Sequence, residues 1–116
     1  MPSESPNLPS GAPRNPFRIA REESFWRISL PPDLVASTVD RLGEPLEVLV
    51  GNSEEALVVD LSSTLAIDSL GLGLLIRLFK ACERKGVAFS VEGANANLLR
   101  VFHLCGLTRH FQVRGP

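Results

Sequence analysis

Asp68-Ser69-Leu70-Gly71-Leu72-Gly73 stands where a strand-like run turns into a helix. Before it, Ala56-Leu57-Val58-Val59-Asp60-Leu61 is near-continuously apolar, as in a central strand covered on both faces. After it, from about Leu70 to Lys85, the residues Leu72, Leu75, Ile76, Phe79 and Cys82 form one stripe. Arg77, Lys80, Glu83 and Arg84 face the other way. Ser69 is therefore expected at the helix N-cap, its hydroxyl near free backbone N–H groups and the positive end of the helix dipole. A phosphoryl group there would meet suitable donors and change the charge of one surface abruptly. The plain alternative is that Ser69 only caps the helix.

Upstream, Phe17 to Arg21 and Phe25 to Leu30 read as two short strands joined by a loop at Glu22-Glu23-Ser24. Pro31-Pro32 stops the second, since neither residue can donate to a ladder. From Ser37 a helical pattern places Val39, Leu42, Leu46, Leu49 and Val50 three or four apart. Pro45 would remove the bond to the Arg41 carbonyl, so this helix is expected to kink or to start later. Gly51-Asn52-Ser53 closes it with turn chemistry.

Downstream, Gly86 stops the second helix. Val87 to Val91 alternates as a strand. Asn95 or Asn97 opens a last helix with Leu98, Val101, Phe102 and Cys105 on its apolar side, and Gly106-Leu107 ends it. Phe111 to Val113 is a closing strand. The order β-β-α-β-α-β-α-β predicts a small α/β domain, with three to four helices on a mixed sheet of four to five strands.

The 116 residues suffice for one domain, expected over residues 16–116. Residues 1–15 hold four prolines and few large apolar side chains, so they read as a disordered Pro/Ser-rich tail. A net charge of −1 leaves no basic footprint for nucleic acid. No apolar run approaches the ~20 residues of a bilayer span, and no secretory leader pattern opens the chain. Cys82 and Cys105 both fall in apolar helical patterns and read as small buried hydrophobes of a reducing compartment. A cytoplasmic location is expected.

In this element order, residues from about Phe17 to Val113 resemble the STAS domain, the fold of bacterial anti-sigma factor antagonists. Two stretches carry the resemblance. One is Val58-Val59-Asp60-Leu61 followed by Asp68-Ser69-Leu70-Gly71-Leu72-Gly73. The other is Leu98-Leu99-Arg100-Val101-Phe102-His103-Leu104-Cys105-Gly106-Leu107. The resemblance implies that Ser69 is the serine phosphorylated by a partner anti-sigma factor, itself a serine-protein kinase of the histidine-kinase-like ATPase type. It also implies a partner-binding face of Asp33, Asp68, Ser69, Leu70, Gly71, Leu72 and Gly73. A homodimer is left open. Two departures stand out: Leu70 replaces the motif's second Ser/Thr, and Pro31-Pro32-Asp33-Leu34-Val35 replaces Gly-Glu-Leu-Asp, with Val35 in the place of Asp.

Other chemistries fit poorly. In Gly71-x-Gly73 the third glycine of a dinucleotide fingerprint would fall at Ile76. Asp60 at a strand end is reminiscent of a phosphate receiver, but no acidic pair follows the second strand. His103 and Cys105 lie two apart on one helix, and His110 is isolated. No catalytic residue, metal site or cofactor is expected. The rival function is a constitutive STAS subunit of a larger assembly, such as a lipid-transport ATPase or a sensory scaffold, with Leu70 adding apolar contact surface.

Overall fold

The computed structural model describes residues 17–116; the tail expected over residues 1–15 lies outside them. The strands are β1 (Arg18–Arg21), β2 (Phe25–Ser29), β3 (Asp33–Leu34), β4 (Ala56–Asp60), β5 (Ala66–Ile67), β6 (Phe89–Glu92) and β7 (Gln112–Val113). The helices are α1 (Ala36–Asn52), α2 (Ser69–Lys85) and α3 (Ala96–Leu104), with a 3-10 turn at Leu107–Arg109. A five-stranded sheet runs β1-β2-β4-β6-β7, and β3 and β5 form a separate pair. β1 is antiparallel to β2. All other pairs are parallel. This is the small α/β fold with a mixed sheet that the element order predicts.

The parallel strands step in one direction, so right-handed crossovers bring the helices to one face of the sheet. The side chains of that face, Ile28, Leu57, Val59, Phe89 and Val91, join Leu42, Leu46, Leu74, Leu75, Leu78, Leu98 and Phe102 in one core. Near β7 the rings of Phe89 and Phe111 meet edge-on, with centroids 5.0 Å apart. The hairpin β1–β2 and the left-handed Gly86 ending α2 (φ 72°) follow the sequence pattern.

Four expectations change. First, β4 is covered by helices on one face only. On the other, Val58 is flanked in register by Arg27 and Ser90 and is almost fully buried without joining the core. There Arg27 lies 3.0 Å from Glu92 and 3.8 Å from both Asp60 and Glu22. Second, α1 does not start later but begins at Ala36 and runs through Pro45, which is exposed and has no N–H to offer the Arg41 carbonyl. Third, the buried stripe of α2 is Gly71, Leu74, Leu75, Leu78 and Cys82, while Leu72, Ile76 and Phe79 flank it. Fourth, α3 ends at Leu104, so Cys105 leaves the helical face and is exposed, unlike the buried Cys82. Among the described residues no helix is long and apolar enough to cross a membrane.

Candidate functional site

The turn into α2 differs from its sequence reading by one residue. Asp68, extended at φ −114°, ψ −173°, is the N-cap. Its Oδ1 accepts the N–H groups of Leu70 and Gly71, each at 2.9 Å. Ser69 is the first helical residue and is exposed. Two of the first-turn N–H groups expected to greet a phosphoryl group, those of Leu70 and Gly71, are thus already taken by Asp68. As the first helical residue and not the cap, Ser69 is left exposed.

Asp68 also reaches across the fold. Its Oδ2 accepts the Ala36 N–H at the start of α1, at 3.0 Å, and its own N–H donates to the Leu34 carbonyl at 3.3 Å. The Gly71 N–H, with those of Ala36 and Leu70, holds the Asp68 carboxyl below its ordinary range, against a smaller desolvation effect that raises it.

Asp33 is exposed on β3, which pairs with β5 through Asp33–Ala66 and Leu34–Ile67. The Pro32 carbonyl accepts N–H bonds from Leu65 and Ala66 at 2.7 and 3.1 Å. Behind them the buried Thr64 hydroxyl donates to the Pro31 carbonyl at 2.8 Å, and the Asn95 amide donates to the Thr64 carbonyl at 3.4 Å. Two otherwise irregular loops, 31–35 and 62–68, are therefore stitched into one support beneath the Ser69 turn.

The seven residues expected at a binding face divide by exposure. Asp33, Ser69 and Leu70 face solvent, Leu70 at 52 % exposure. Asp68, Leu72 and Gly73 are half-buried. Gly71 is buried against β3: a Cβ there would lie 2.1 Å from the Leu34 carbonyl oxygen, so its role is close packing. Sequence reasoning missed Thr64, Ala36 and Leu65, the last 67 % exposed beside β5. The exposed Leu65 breaks no pattern, and the N–H of Ala36 carries no sequence signal. Asp60 accepts the N–H of Ser62 at 2.9 Å and its hydroxyl as well, closing a turn beside the Arg27 cluster. Among the described residues no group of three or more His, Cys, Asp or Glu could hold a metal ion.

The fold has counterparts. The family model of the STAS domain matches residues 19–115. The anti-sigma-B factor antagonist of Listeria monocytogenes is 27% identical over 82 residues, which cover 71% of this chain and 72% of that protein. An anti-sigma factor antagonist (STAS) domain protein from Planctomyces limnophilus superposes with a TM-score of 0.79 at 15% identity, over 86% of this chain and 90% of that one. An anti-sigma factor antagonist from Mycobacterium paratuberculosis gives 0.76 at 23% identity, over 86% and 85%. With the matched family model spanning nearly the whole described fold, this chain belongs to the STAS domain family.

Proposed function

We propose that this domain is an anti-sigma factor antagonist-like binding module of the cytoplasm, switched by phosphorylation of Ser69. The partner is an anti-sigma serine-protein kinase of the histidine-kinase-like ATPase type. The observation that carries this reading is the exposed Ser69 at the first position of α2, between the half-buried Asp68 and the exposed Leu70. The similarity to named anti-sigma factor antagonists supports the choice of partner.

The physics is electrostatic. Phosphorylation adds about −1.5 to −2 charges beside Asp68. Asp68 already satisfies Leu70, Gly71 and Ala36, so the phosphoryl group stays at the surface and confronts whatever docks there. Desolvating that charge against a partner opposes binding while the fold stays intact. The unmodified protein binds the anti-sigma factor and frees the sigma factor; the modified protein does not.

The test is incubation with the histidine-kinase-like kinases of the same genome and ATP, followed by phosphosite mapping and binding titration. Phosphate on Ser69, loss of binding in Ser69→Asp and retained binding in Ser69→Ala are expected. A second reading, a constitutive subunit of a larger assembly, is favoured by the exposed Leu70. It would be supported by an unmodified Ser69 and by a Ser69→Asp variant that binds as the wild type does.

A further inference from the structure

The start of α1 lacks something that the start of α2 supplies. Val35 occupies the N-cap of α1 and has no side-chain acceptor to offer. Thr38 repairs part of this: its hydroxyl oxygen accepts the Val35 N–H at 2.9 Å and its O–H reaches the Asp33 carbonyl at 2.7 Å. The first N–H of the helix, that of Ala36, finds its acceptor 32 residues away, at Asp68 Oδ2. One carboxylate therefore serves two helix starts, each oxygen committed to a different helix. That connection runs parallel to the β3–β5 pairing and to the contact of Gly71 with Leu34.

We propose that Asp68 is a positioning residue whose second oxygen locks the Asp33-Leu34-Val35 segment to the Ser69 turn. Asp33, Ser69 and Leu70 then meet a partner as one edge of fixed shape. The carboxylate is needed because both of its oxygens accept. An asparagine keeps one acceptor and turns an NH2 donor toward the Ala36 N–H, itself a donor. The functional half of this inference rests on the reading of the Ser69 edge as the kinase-facing surface. The structural half does not.

Two substitutions in the full chain break the same bond from opposite sides. Asp68→Asn keeps a side chain equally good at an N-cap, so the start of α2 keeps an acceptor while the cross-link and the negative charge are lost. Ala36→Pro deletes the donor at the first helical position, where proline is tolerated; Val35 already has the extended backbone (φ −128°, ψ 177°) that a following proline requires.

The measurements are amide hydrogen exchange and the kinetics of Ser69 phosphorylation by a kinase that the incubation above identifies. In Asp68→Asn the Ala36 amide should exchange roughly tenfold faster, the scale of one lost hydrogen bond, while Leu70 and Gly71 stay protected. Both variants should raise KM for phosphorylation with kcat little changed, and the double variant should be no worse than either single one. Unchanged exchange at Ala36 would overturn the clamp. Faster exchange with an unchanged KM would overturn the positioning role, as would a KM effect confined to Asp68→Asn, which would make Asp68 a direct contact. If no kinase modifies Ser69, the proposed function falls by itself. The positioning is then read from the amide chemical shifts of Asp33 and Ser69 in Ala36→Pro, which must move if the lock holds them and stay if it does not.

Discussion

The starts of α1 and α2 solve the same problem in opposite ways. Each leaves N–H groups with no partner in its own helix. α2 is served by the residue just before it, Asp68, as a local motif. α1 begins after Val35, which offers no side-chain acceptor, and its first N–H depends on that same Asp68. A helix start can thus be self-sufficient or borrowed, and a borrowed one ties two distant segments together. The borrowed start is the one that lies beside Asp33.

The largest effect should come from forcing the two starts apart. In Gly71→Ala the new methyl would lie 2.1 Å from the Leu34 carbonyl oxygen and 2.9 Å from the Ile67 side chain. Leu34 is fully buried and pairs with β5, so it has little room to yield. A loss of about 1–3 kcal/mol is expected, seen as a lower urea midpoint with an unchanged m-value. Gly73→Ala is the control. Its methyl would meet only the flexible Arg77 at 3.7 Å, and removing a glycine inside a helix should stabilise by roughly 0.5–1 kcal/mol. Equal losses at both positions would show that Gly71 is not the contact between the two starts.

That contrast also marks what could be read from the sequence. The hairpin at Glu22-Glu23-Ser24, the stop at Gly86, an asparagine cap (Asn95 of the two that the sequence offers) and the Gly106-Leu107 ending are each set by a few adjacent residues, and each is found in the fold. The two glycines of Gly71-x-Gly73 look alike in sequence, because only the approach of Leu34 separates them. β3 and β5 were invisible because two residues carry no periodicity; pairing with each other creates them. The open face of the sheet was missed because the burial of Val58 comes from strand neighbours, which an apolar run cannot distinguish from a covering helix. The candidate site was legible as a motif. Its N-cap was displaced by one residue, since Asp and Ser cap equally well and only the backbone decides between them.

A second test uses acid. The Asp68 carboxyl titrates below its unfolded value of 3.8, so the ionised form favours the folded state. Its contribution is whole above that value, shrinks as pH falls below it, and is gone below the folded pKa. Glu55, held low chiefly by its hydrogen bond from Arg21, titrates in the same direction. The comparison is therefore the stability of the wild type minus that of Asp68→Asn, measured by urea titration from pH 6 down to about pH 2. The difference should narrow as pH falls. A difference independent of pH would mean that the charge of Asp68 does nothing for either helix start.

The smallest effect should come from giving α1 a cap of its own. Val35 is only half-buried and is not among the apolar side chains packed on the core, so replacing it sacrifices little. In Val35→Ser the hydroxyl can accept an N–H from the first turn of α1, and a gain of roughly 0.5–1 kcal/mol is expected in the urea midpoint. The same substitution made on top of Asp68→Asn gives the sharper result. If α1 leans on Asp68, its first turn frays when that oxygen is lost, and a new cap then restrains a looser segment. The gain should exceed that in the wild type, because the two substitutions act on one turn and cannot be independent. Strict additivity would mean that the two helix starts, though joined by one carboxylate, are energetically separate.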